Sequence, residues 1–110
     1  MRREDIFARD DYRCVFCGEV FPAEALSLDH LQPVSRGGDR SPGNLVTACR
    51  ACNARKGRQR LAIFLAADPA TYANFQRLAV HAWKRHLAAI DDEVRARRER
   101  RRHVTDSGKA

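Results

Sequence analysis

Four cysteines constrain this 110-residue chain more than any other feature. Cys14 and Cys17 form one C-x2-C pair, Cys49 and Cys52 form a second, and 31 residues separate the two. Two residues between cysteines let one tight turn aim both thiolates at a single point. Two such turns complete a tetrahedral all-sulfur site, the donor set that suits Zn2+. Disulfides explain such pairs poorly in a reducing compartment. A redox C-x-x-C belongs to a thioredoxin-like βαβ context, which the flanking residues do not supply. The stretch from Met1 to about Arg60 is too short to bury a large core, and modules of that size lean on a metal or a disulfide. A site closed by Cys14, Cys17, Cys49 and Cys52 keeps no open position, so the zinc is expected to be structural.

Between and around the cysteines the pattern is mixed α and β. Arg3 to Asp10 reads as a short helix with Ile6 and Phe7 as its apolar residues. Leu26-Ser27-Leu28-Asp29-His30 alternates apolar and polar, the period of a half-buried strand. Ser35-Arg36-Gly37-Gly38-Asp39 and Ser41-Pro42-Gly43 are turns. Asn44 to Thr47 reads as a second short strand. A helix is expected after Cys49, carrying Cys52, Asn53, Arg55 and Lys56 and stopping near Gly57. Arg60 to Ala67 is apolar enough for a further helix. Asp68-Pro69 opens another, with Asp as cap and Pro at the first helical position. Tyr72, Phe75, Leu78, Ala79, Ala82, Trp83, His86, Leu87, Ile90 and Val94 recur at spacings of three and four, which predicts one long amphipathic helix packed against the rest of the fold. The expected organisation is residues 1–60 as the zinc-stapled module and 61–110 as a helical extension with a basic tail.

Composition narrows the class. Hydrophobic residues are 44% and charged residues 32%. That is too apolar for a disordered chain, and no run approaches the ~18 apolar residues of a membrane span. Met1-Arg2-Arg3-Glu4-Asp5 leads into no apolar stretch of the kind a secretory signal needs, so a cytoplasmic location is expected. Lys and Arg number 21 against 14 Asp and Glu, a formal charge of +7, and this favours a polyanionic partner, with nucleic acid ahead of an anionic membrane surface. Arg95 to His103 holds six arginines, a run that either is solvated or grips phosphates.

The loop between the cysteine pairs carries Asp29-His30-x2-Pro33, then Gly37-Gly38, then Asn44-Leu45, and Cys49-x2-Cys52-Asn53-x2-Lys56 follows. This ordered string resembles the HNH endonucleases of the His-Me finger (ββα-metal) group over about Ile6 to Gly57. The resemblance implies an α+β fold: a small ββα-metal core stapled by the four-cysteine site, plus the long C-terminal helix. It implies a metal-dependent DNA endonuclease hydrolysing phosphodiester bonds, with His30 as general base and Asp29 as a ligand of the catalytic divalent ion. Asn44 would tie the loop between the strands and orient the histidine. Asn53 stands where the family has His or Asn, so it would be the second metal ligand, making an H-N-N variant. An amide oxygen is harder than imidazole, which favours Mg2+ or Mn2+.

The chemistry supports these roles independently. A neutral imidazole with a pKa near ~6.5 can take a proton from water near neutral pH. A metal held by one carboxylate and one amide keeps most of its positions for water and phosphate oxygens. Asp29 and His30 are neighbours, and a regular strand would point them to opposite faces. One site uses both only at a strand end or through an irregular backbone, and an irregularity is the expectation. Arg36, Arg50, Arg55, Lys56, Arg58 and Arg60 crowd around the proposed helix and are candidate phosphate contacts. His81, His86 and His103 fall on the extension and read as non-catalytic. The expected partner is double-stranded DNA, with a homodimer or larger nuclease complex formed through the C-terminal helix and no membrane. The competing reading is a non-catalytic zinc-binding nucleic-acid module, in which the Asp-His pair is incidental.

Overall fold

A computed structural model describes residues 2–108, and side chains over residues 2–102. The chain is α+β. Helix α1 (Arg3–Arg9) leads to strand β1 (Leu26–His30), strand β2 (Leu45–Cys49) and helix α2 (Arg50–Lys56), and α3 (Leu61–Ala67), α4 (Pro69–Leu78) and α5 (Lys84–Gly108) follow. No helix among the described residues is long and apolar enough to cross a membrane.

The two strands form one antiparallel ribbon with Leu26 opposite Cys49, Asp29 opposite Val46 and His30 opposite Leu45. An isolated two-stranded ribbon is marginal in water. Here α1 and α2 pack on it, and a charge network ties α1 to β2. Asp10 is buried and its Oδ2 accepts from Thr47 N at 3.1 Å and Thr47 Oγ1 at 2.9 Å. Arg9 neutralises it at 2.9 Å and donates onward to the carbonyls of Pro42 and Leu45. The chain turns from α1 into the first cysteine pair through Asp11 and Tyr12, which both hold left-handed φ values, 59° and 54°. Tyr12 is kept there by its N–H, which donates to Phe7 O at 2.8 Å.

The loop between the strands depends on two adjacent glycines. Gly37 ends a 3-10 turn (Val34–Arg36) at φ 89°, the region glycine enters without cost. Gly38 is needed for close approach: a Cβ there would lie 1.7 Å from the backbone oxygen of Gln32.

One apolar core runs through the molecule. Phe16, next to the first cysteine pair, meets Phe64 of α3 edge-on at 5.4 Å and Phe75 of α4 in a stack at 6.1 Å. Asn74 also donates to Phe16 O at 2.9 Å, so α4 holds the cysteine turn directly.

The single long helix expected over Tyr72 to Val94 is corrected. α4 stops at Leu78, Ala79 leaves helical geometry at ψ 51°, and α5 starts at Lys84. The apolar spacing survives because the two helices fold back on each other: Tyr72 and Gln76 both donate to Asp91. Tyr72, Phe75, Ala79, Ala82, Ile90 and Val94 are all buried, with α3 packed against both α4 and α5. No Pro or Gly marks the break. Trp83 makes it, donating its N–H to Gly43 O at 2.9 Å, with its ring where a Cβ on Gly43 would fall. The second strand also begins one residue later than expected: Asn44 closes a 3-10 turn (Pro42–Asn44), and β2 runs on to Cys49.

Candidate active site

The four cysteines converge. Their Sγ atoms all lie within 4.8 Å of one another, and Cys14, Cys49 and Cys52 are buried. A tetrahedral ion with metal–sulfur bonds of ~2.3 Å places its sulfurs about 3.8 Å apart, so the cluster fits Zn2+. Backbone amides point at two of the sulfurs: Phe16 N and Cys17 N at Cys14 Sγ (3.4 and 3.5 Å), and Cys52 N at Cys49 Sγ (3.3 Å). Burial pushes the Cys49 thiol up, but the Cys52 amide and the neighbouring thiols outweigh it and hold its pKa below the ordinary value. Burial, with like charge from the neighbouring sulfurs, drives Cys17 and Cys52 upward. Four such thiols cannot all ionise together without a cation among them. Because Cys49 also caps α2 and ends β2, the cluster fixes where the helix leaves the sheet.

That placement builds a cleft of about 350 Å³ at the end of β1, lined by Asp29, His30, Pro33, Lys56, Arg58 and Arg60 among others. The expected backbone irregularity at Asp29-His30 is absent: both residues pair regularly with β2. The strand ends at His30, and the chain turns there, Leu31 N donating to Asn44 O at 2.9 Å. A strand end serves as well as an irregularity would, because a side chain on either face reaches the space beyond the terminus.

Helix α2 lies across β1 so that residues three apart on the helix meet residues two apart on the strand. Asn53 Nδ2 donates to Ser27 Oγ at 3.1 Å, and Lys56 Nζ reaches Asp29 Oδ1 at 3.2 Å. Asp29 is buried, and that burial raises its carboxyl above the ordinary range while Lys56 opposes the rise. Only one of its oxygens is engaged. Asp29 Oδ2 and His30 Nε2 are buried with no hydrogen-bond partner among the described residues. Two orphaned polar atoms on adjacent residues in one cleft are costly unless a ligand completes them.

Asn44 braces the cleft from behind. It is buried, its Oδ1 accepts from Gln32 N at 2.8 Å, and its Nδ2 donates to Gln32 O at 3.1 Å and Asp39 O at 2.8 Å. The six candidate phosphate contacts divide. Arg36, Lys56, Arg58 and Arg60 line the cleft, with Lys56 held by Asp29 and Arg60 by Glu93 of α5. Arg50 instead donates to Glu24 O at 2.8 Å, and Arg55 lies over Phe64 at 5.3 Å; both are exposed and stand outside the cleft lining. His81 is exposed in the α4–α5 turn, and the His103 side chain lies outside the described residues. Three contributors drew no attention in the sequence: Gln32, Gln59 and Glu93. Only Glu93 carried a signal, as the one acid within reach of Arg60 on a helix approaching the cleft.

A two-stranded antiparallel ribbon, a crossing helix, a carboxylate–imidazole pair at the strand end and a cysteine cluster define a small ββα-metal domain. Residues 14–65 match the model of the HNH endonuclease family. No curated protein matches the chain. Among solved structures, the chain is similar to the Type II-C Cas9 enzyme from Actinomyces naeslundii at 24% identity and a TM-score of 0.54. The similarity covers 87% of this chain but 11% of that one, and it bears on the fold.

Proposed function

We propose that the chain is a metal-dependent DNA endonuclease, with His30 as general base and Asp29 and Asn53 as ligands of Mg2+ or Mn2+. The observation that carries this is the pair of buried, unpartnered atoms in the cleft, Asp29 Oδ2 and His30 Nε2. A hard carboxylate oxygen and an amide oxygen suit a divalent ion of this kind. Such an ion, when bound, neutralises charge at the phosphate and on the departing oxygen.

The chain's own residues do the rest. Lys56 holds Asp29 Oδ1 and so leaves Oδ2 directed elsewhere. Asn53, anchored through Nδ2 to Ser27, stands outside the cleft lining one helical turn before Lys56 and would turn its Oδ1 toward the ion. His30 Nε2 takes a proton from the water that attacks phosphorus, the bond to the leaving oxygen breaks, and the proton returns to solvent. Asn44 keeps the loop after His30 at one setting through its bonds to Gln32 and Asp39. Arg36, Arg58 and Arg60 supply phosphate contacts at the rim. The Cys14, Cys17, Cys49 and Cys52 zinc keeps β1 and α2 in register. One copy holds one such site, so a nick is the expected product, and cutting both strands requires two copies.

The test is plasmid cleavage with Mg2+ or Mn2+ and a chelator control. His30→Ala is expected to fold and bind DNA while cleaving slower by on the order of 100- to 10,000-fold. Equal cutting by wild type and His30→Ala would remove the general base from this account.

A further inference from the structure

We infer that a notch beside the cleft is a subsite for the nucleoside that flanks the cleaved phosphate, an inference that rests on the endonuclease reading. The notch measures about 160 Å³ and lies between the loop after β1 and the N-terminal half of α5. Arg36 and Arg60 line both it and the cleft, so the two spaces are contiguous across these side chains. A chain that places a phosphate at His30 must continue past one side of this pair.

The lining selects a nucleoside over a second phosphate. Leu31, Leu61 and Ile90 supply apolar walls, and Gln32 and His86 supply polar edges. Glu93 also faces the notch and takes the charge of Arg60, so an anion inside it would meet a carboxylate as well as the Arg36 that it shares with the cleft. A neutral ring with polar edges meets no such penalty. The volume lies below the ~300 Å³ at which pockets begin to enclose drug-sized ligands, which matches one ring system.

The notch is also held in shape before anything binds. Gln32 is fixed through its backbone by Asn44 and through Nε2 by Arg36 O at 3.0 Å. His86 stacks on Trp83, with ring centroids 5.5 Å apart, and Trp83 is anchored to Gly43. Such preorganisation lowers the ordering cost of binding. α5 lies outside residues 14–65, so one wall comes from beyond the segment that matches the family.

Ala89 lines the notch from an exposed position on α5, so Ala89→Phe fills the space without burdening the core. Two activated diesters with the same leaving group read the effect: methyl nitrophenyl phosphate, which has no nucleoside, and the nitrophenyl phosphodiester of thymidine. Wild type is expected to prefer the thymidine ester by about tenfold or more in kcat/KM, equivalent to ~1.4 kcal/mol. Ala89→Phe should erase that preference and leave hydrolysis of the methyl ester unchanged. An unchanged preference, or equal losses on both esters, overturns the subsite. If wild type hydrolyses neither ester, plasmid cleavage decides the endonuclease reading, and a binding measurement decides the notch separately. Trp83 is the only tryptophan and stacks on a notch residue, so its emission reports occupancy. A saturable change with thymidine monophosphate, absent with inorganic phosphate and absent in Ala89→Phe, supports the subsite. No saturable change in wild type, or the same change in the variant, counts against it.

Discussion

Burial raises the Asp29 carboxyl above its ordinary 3.8, and the Lys56 ammonium pulls it back. A carboxyl with a raised folded value holds its proton more tightly when folded. Its contribution to stability is therefore complete below about 3.8 and fades as pH climbs through the raised value. Lys56→Met removes the opposing cation, so in metal-free protein the Asp29 carboxyl should titrate at a still higher pH. NMR titration of that carboxyl reads this directly, and an unmoved value would show that the Lys56–Asp29 contact has no electrostatic weight. At this scale the residue types and spacings of Asp29, His30, Asn44, Asn53 and Lys56 were legible in the sequence. Their pairings were not. That Lys56 meets Asp29 while Asn53 meets Ser27 depends on how α2 lies across β1, a distance relation over 26 and 27 residues of chain.

The elements show where local pattern fails. Strand period and helix caps located β1, α2 and the start of α4 because these are short-range signals. Asp68 does cap α4, accepting from Ala70 N at 3.0 Å, and Gly57 does follow α2. The break between α4 and α5 escaped because an apolar stripe at three-and-four spacing reads alike in one straight helix and in two that fold back. The Tyr72–Asp91 contact belongs only to the folded-back arrangement, and it supplies a test. Burial and the Asp91 carboxylate push the Tyr72 phenol up to about 12, from 10.0. The stability from this raised value is complete below pH 10 and is lost as pH rises toward about 12. Alkaline melts should therefore show that loss in wild type and a flatter profile in Tyr72→Phe. An absorbance titration in which the Tyr72 phenol ionises near its ordinary pH of 10 would contradict the buried contact.

For the whole molecule, the cysteine cluster and the apolar core are mechanically one. Phe16 sits between Cys14 and Cys17 and packs on both Phe64 and Phe75. Losing the ion should therefore loosen α3, α4 and α5 as well as the ribbon, since metal binding and folding are coupled in small modules. Cys49→Ser, or a strong chelator, is expected to abolish the cooperative melt and release about one zinc per chain by metal analysis. A zinc-free variant that melts cooperatively near the wild-type temperature would show that the core stands without its staple.

Spacing alone pointed to the cysteine site, while the ββα order and the roles of Asp29 and His30 came through the resemblance that the ordered string from Asp29 to Lys56 carries. Both readings rest on residue types at short, fixed separations. Tertiary packing decided the rest: which arginines face the cleft, where the long helix breaks, and that α5 closes a notch beside His30. Those outcomes depend on contacts such as Trp83 on Gly43 and Glu93 on Arg60. The partners are far apart in the chain, and no local periodicity encodes their meeting.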